Sequence, residues 1–266
     1  MPYKTRFQAA TKACLIHSVI SIQMVLAAAV LVLGLWFPHP YRDLAGGHHL
    51  FWLLVGVDAV CGPLLTFILF NPGKPRRELL TDMGLVVCLQ VAALMYGLHT
   101  AYVARPLFLV HEVDRFRVIT SGDFGDAPVD AAIAKLDASL RPRLLHGPAT
   151  VGIRNPRDSK ERQDVMVESV LGGRDYAQRP DFYVPYDAAY ASKALARARP
   201  LRAFVARYPA TTGTVTEILS TRNVDMADAL FLPVLHKQDW IAVLDSSAHI
   251  LGFVPGDGFE VPADPK

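Results

Sequence analysis

The stretch LVGVDAVCGPLLTFILFNPGK, residues 54–74, decides the reading of the whole chain. It is an apolar run carrying a single carboxylate, Asp58, with Gly62-Pro63 four residues further on. An ionised carboxylate at mid-depth in hydrocarbon costs about 3 kcal/mol on insertion scales, so Asp58 should face protein or water and not lipid. Pro63 has no amide proton and crowds the carbonyl of Ala59, so the helix should loosen or kink beside the acid. Two roles for Asp58 stay open at this point: a hydrogen-bonded contact that packs helices together, or a grip on a partner.

Outward from this stretch, composition supports a membrane protein. Apolar residues make up 52% of 266, and the long apolar runs all fall before residue 103. Residues 1–103 carry a net charge of +3 and residues 104–266 a net charge of −1, which lacks the basic footprint of a nucleic-acid binder. Cys14, Cys61 and Cys88 lie inside apolar stretches, where a thiol behaves as a small hydrophobe. The later part has no cysteine and is large enough to build a core without a disulfide.

Spans are expected at about residues 13–37, 50–70 and 83–103, each near the ~20 residues a helical crossing needs. Trp36-Phe37 followed by Pro38-His39-Pro40 reads as the interfacial end of an uncleaved anchor. Lys4, Arg6 and Lys12 precede the first span, and Lys74, Arg76 and Arg77 lie between the second and third. Positive charge is retained inside, so residues 1–12 are expected in the cytoplasm and everything after the third span on the outer face. The expected fold is thus three N-terminal transmembrane helices, within residues 13–103, followed by a mixed α+β extracytoplasmic domain, residues 104–266. Counted by helix rise, Gln23, Asp58 and Gln90 all come near mid-membrane and are expected to hydrogen-bond one another. Asp58, Gly62 and Thr66 recur at i, i+4 and i+8, a small and polar stripe suited to close helix contact.

The later part alternates strand and helix signals. Residues 106–120 read as a strand or hairpin, 128–140 as a helix, and 150–153 as a short strand. Residues 158–170 read as a surface helix ended by Gly172-Gly173, and Asp187 as the cap of a helix reaching about Arg199, where Pro200 breaks it. Residues 175–186 read as an ordered loop, and 230–236, 240–244 and 250–254 as strands closing the chain. Lys193, Arg197, Arg199, Arg202 and Arg207 form the most basic region, either a solvated face or a dock for lipid headgroups or an acidic partner.

Several chemistries are excluded. An intramembrane aspartyl protease needs two carboxylates at one site, and Asp82 lies about 18 Å from Asp58 by helix rise. His48-His49 and His111-Glu112 lack metal-ligand spacing, and no G-x-S-x-G, Walker A or G-x-G-x-x-G occurs. No enzyme activity, cofactor or metal is expected.

VGVDAVCGPLLTFILFNPGKP (residues 55–75) and MYGLHTAYVARPLFLVHEVDRFRVI (residues 95–119) closely resemble the TfpX/TfpZ family of type IV pilin accessory proteins. The resemblance is strong over roughly the first 120 residues and holds only in general layout beyond them. It rests on Asp58, Gly62-Pro63, Asn71-Pro72, Arg105-Pro106 and residues 112–116. It implies an inner-membrane, multi-pass factor, a chaperone or modulator for assembly of a cognate type IV pilin, with no catalytic residues to carry over. The implied partners are the pilin, through its membrane helix and head, other pilus components and membrane lipid. Candidate partner-binding or helix-packing residues are Asp58, Gly62, Pro63, Thr66, Gln23 and Gln90. Arg105, Glu112, Asp114, Arg115 and Phe116 are the candidate periplasmic contacts. A membrane-anchored periplasmic sensor or ligand-binding protein stands as the alternative, and gene neighbourhood discriminates the two.

Overall fold

The first helix, α1 (Tyr3–Ala29), has no proline and no glycine to interrupt it and continues as a π-helical segment, Val30–Trp36. The computed structural model describes residues 3–46, 51–52, 55–125, 129–144 and 146–262. They divide into two compact units: Met1–Arg42 with Gly46–Ala104, and Arg105–Lys266 with Asp43–Ala45.

In the first unit α1 is joined by α2 (Gly62–Leu69) and α3 (Arg76–Ala104). Leu15, Val19, Ile22, Leu26 and Val30 on the first arm are exposed, as are Leu80, Leu85, Leu89 and Met95 on α3. Helices apolar on their outward faces suit hydrocarbon, and 29 residues of α3 span roughly 43 Å against a core about 30 Å thick.

The expected three crossings are not found. Among the described residues two helices are long and apolar enough to cross a membrane, Arg6–Trp36 and Arg76–Ala104. The middle arm, expected as a span over residues 50–70, contributes only the shorter apolar helix Ala59–Leu69. Its residues 50, 53 and 54 lie outside the described residues. Around Pro63 the helix changes its winding without ending. A π-helical turn, Val57–Cys61, immediately precedes Gly62-Pro63, where the missing amide proton lets the helix widen. At the other end Phe70 turns extended ahead of Asn71-Pro72, and the Asn71 side chain accepts from the Gly73 amide at 3.0 Å.

The middle arm runs back along α1. Phe67 meets Phe7 edge-on at 5.7 Å, and Arg6 reaches the Ile68 carbonyl. Trp36 meets Tyr102 at 5.5 Å, so α3 returns to the far end of α1. Lys74 pairs with Asp82 at 2.6 Å and Glu78 at 3.1 Å, which closes the turn into α3.

The second unit is a mixed sheet of eight strands. The strands are β1 (Pro106–Glu112), β2 (Arg115–Thr120), β3 (Ala149–Ile153), β4 (Tyr183–Pro185), β5 (Arg199–Pro200), β6 (Leu230–Leu235), β7 (Trp240–Leu244) and β8 (Ile250–Pro255). Their order is β4-β3-β1-β2-β6-β7-β8, with β5 also on β6. β1 with β3 and β2 with β6 run parallel, and the other pairs among the described residues run antiparallel. The central strand β1 is buried from Pro106 to His111, which is why it reads as a continuous apolar run and not an alternation.

Helices α4 (Val129–Ala134), α5 (Ser159–Val170), α6 (Ala188–Leu195), α7 (Leu201–Arg207) and α8 (Thr212–Arg222) complete the domain. Asp158 caps α5 by accepting the Glu161 amide at 2.7 Å, and Asp187 caps α6 by accepting from Ala189 and Tyr190. Helix α6 ends short of Arg199, because residues 199–200 leave the helix to pair with Leu230 and Phe231. One core forms around Phe108, Ile119, Phe124 and Tyr183, and another around Leu201, Phe204, Val215, Phe231 and Ile241.

Candidate functional site

Thr66 is one turn beyond Gly62 on the middle arm and is 4% exposed. Its hydroxyl lies 2.5 Å from Nδ1 of His17, whose Nε2 lies 2.5 Å from Oε1 of Gln90 on α3. One neutral tautomer satisfies all three arms: Nε2 donates to the amide oxygen and Nδ1 accepts from the hydroxyl. Gly62 is placed against the same amide. A Cβ built on it would overlap the Gln90 side chain, so only glycine lets that side chain lie across the middle helix. The first unit is therefore tied together by a polar knot inside otherwise apolar helices.

Beside the knot lies a groove of about 560 Å³. Ile16, Ile20 and Met24 of α1 and Val87 and Val91 of α3 make its apolar walls, with His17, Thr66 and Gln90 also lining it. Lys12 also lines it. Such a surface can take a long apolar side chain or a helix face, with hydrogen-bonding groups at a single depth.

The residues singled out from sequence fall in different places. Gly62, Thr66 and Gln90 come together, and Pro63 is buried beside Gly62. Gln23 is exposed and does not join them. Asp58 falls within the π-helical turn, and its side chain lies outside the described residues. The partner that sequence reasoning passed over is His17. Its signal is Ser21, buried one turn further along the same face.

Among the outer candidates, Arg105 is half-buried just ahead of β1, and Glu112 pairs in register with Arg115 across the hairpin. Burial and the nearby Asp175 push the Glu112 carboxyl above the usual range. Arg115 bonds its neighbour Asp114 at 2.7 Å and lies 4.6 Å over the Phe259 ring. Phe116 is not a surface contact: it is fully buried against His111 and Tyr186.

The architecture is that of an apolar helical unit with a grooved polar knot, carried on the same chain as a mixed α/β domain. The chain belongs to the fimbrial assembly protein family. It is 33% identical over 261 residues to the fimbrial assembly protein of serogroup E1 from Dichelobacter nodosus, covering 97% of this chain and 99% of that one. The serogroup I protein of the same organism matches at the same identity and coverage. A shorter relative of serogroups C1 and C2 is 41% identical over 120 residues, 45% of this chain. The family model for fimbrial assembly protein FimB matches residues 5–46. No solved structure matches the chain.

Proposed function

We propose that this protein is an accessory factor for pilus assembly, of the TfpX/TfpZ type, acting without catalysis on a cognate pilin in the bacterial inner membrane. The observation that carries the reading is the full-length similarity to proteins named for fimbrial assembly. The groove beside His17 supplies a physical role. A pilin subunit awaiting assembly presents an apolar membrane helix, and the groove offers apolar walls with polar groups at one depth. The protein then acts as a membrane chaperone that holds the helix until it is taken into the pilus. Basic residues ahead of the apolar part of α1, Lys4, Arg6 and Lys12, support an inward N-terminus.

The test is deletion of the gene with complementation by wild type or by Val87→Trp, which fills the groove. Total pilin and surface pili are scored in the same cells. Normal pilin with lost surface pili, restored by wild type and not by the groove variant, is expected. Unchanged piliation on deletion overturns the reading.

A further inference from the structure

The α/β domain contains a second cavity, of about 590 Å³, that the pilus reading leaves unused. It is enclosed by the end of β1, the end of β3, α5 and α6. His111 lines it and is 1% exposed. Tyr190 holds its ring. The Tyr190 hydroxyl accepts the Ile153 amide proton at 3.0 Å and lies 3.0 Å from Nδ1 of His111 and 3.4 Å from the His111 carbonyl. With the hydroxyl proton on the nearer of the two, the neutral ring carries its own proton on Nε2. That nitrogen is buried and has no partner among the described residues. A buried N–H without an acceptor costs about 1–3 kcal/mol, so the site favours any ligand that brings one.

The rim states the sign of the ligand. Arg162 of α5 and Arg197, in the turn just after α6, line the cavity, are exposed, and make no ion pair among the described residues. Arg154, by contrast, is already matched to Glu161 through two bonds of 2.8 and 2.9 Å. Met166 and Val113, 60% and 68% exposed, add apolar surface at the same opening. Glu112 also lines the cavity, which penalises a dianion such as phosphate more than a single carboxylate.

We propose that this cleft binds a carboxylate carried on a peptide, the acid accepting from His111 Nε2 and pairing with Arg162 and Arg197 while an apolar neighbour packs on Met166 and Val113. The segment is an acidic residue flanked by an apolar one. The inference does not depend on the pilus reading, because it is tested with the purified full-length protein and synthetic peptides alone.

Calorimetric titration with acetyl-Leu-Glu-Leu-amide, its Leu-Gln-Leu counterpart and inorganic phosphate makes the test. The glutamate peptide is expected to bind, with the glutamine peptide at least about tenfold weaker. His111→Leu should weaken binding by a similar factor, since a bond between a donor and an ionised acceptor is lost. Arg162→Gln with Arg197→Gln, both exposed and therefore neutral for folding, should do the same and flatten the salt dependence. Equal affinity for the two peptides, no binding up to millimolar peptide, or an unaltered affinity in the arginine variant overturns the proposal. So does displacement of the peptide by phosphate at equal concentration, which would make the cleft a phosphate site.

Discussion

His17 and His111 are each anchored by a hydrogen bond to a hydroxyl from another segment of their own unit, and they end in opposite states. Both nitrogens of His17 are used, one on Thr66 and one on Gln90. His111 uses one nitrogen on Tyr190, and the other is buried and unpartnered among the described residues. A satisfied polar group among apolar helices holds the helices in register. An unsatisfied one costs its fold a hydrogen bond and can take an acceptor from outside the chain. The first unit has spent its histidine on architecture, and the second has kept half of one for a ligand.

Titration breaks the comparison most sharply. Burial holds the His111 imidazole down to about 4 from its ordinary 6.5, with Asp114 opposing the shift and Lys193 adding to it. The unfolded chain therefore binds a proton between those values that the folded chain does not, so stability falls as pH drops below 6.5 and the loss levels off below 4. Between pH 7.5 and 5 the loss should come to roughly 2 kcal/mol, and His111→Leu should abolish that part of the slope in chemical denaturation of the full chain.

His17→Leu should destabilise the helical unit. It strands Thr66 and Gln90, and the cost in the helical unit is expected to be about 1–2 kcal/mol by unfolding in detergent. His111→Leu at pH 7.5 should cost less, because it removes an unsatisfied donor while leaving only the Tyr190 hydroxyl short of one acceptor. Gly62→Ala pushes the Gln90 amide aside, with about 1 kcal/mol lost. Its effect should not add to that of Gln90→Ala in a double-mutant cycle, and additivity would dissolve the knot.

Smaller effects sharpen the domain side. Val113, at the hairpin tip beside His111, has a φ of 55°, a left-handed conformation that β-branched residues resist. Val113→Asn should stabilise the domain by about 0.5–1 kcal/mol in thermal unfolding. The Arg154 guanidinium, followed by the Arg157 amide, holds Glu161 at about 2, below its ordinary 4.5. That contribution is present above 4.5 and lost as pH falls towards 2, so Glu161→Gln should flatten the acid limb of the melting temperature. The group is half-buried but still in contact with solvent, and the effect is the smallest of the set.

Much of the domain was legible from pattern. The strands over residues 230–235, 240–244 and 250–255 match runs of branched and aromatic residues between turn signals, and Asp245 closes the last turn on the Ser247 and His249 amides. Asp158 and Asp187 announced their helices because capping is a local bond. Helices α7 and α8 were not anticipated. Pro200 and the 209–213 stretch interrupt the periodic signal there, and both helices are held by burial of Leu201, Phe204, Val215 and Leu219 against distant strands.

For the site, sequence read depth and missed direction. Gln23 and Gln90 were matched by helix rise, yet at 3.6 residues per turn Gln23 points about 240° round the axis from His17. It faces out, while His17 and Ser21 face the other arms.

By itself the sequence determined the apolar composition of the first 104 residues, the break at Gly62-Pro63, and the strand-rich character of residues 105–266. Those features are local: a missing amide proton, a cap, a run of branched side chains. The tertiary structure decided that His17 meets Thr66 and Gln90 and that His111 meets Tyr190, with its other nitrogen unpartnered among the described residues. Each of these joins atoms dozens of residues apart, and no local propensity encodes which side chains such packing will bring together.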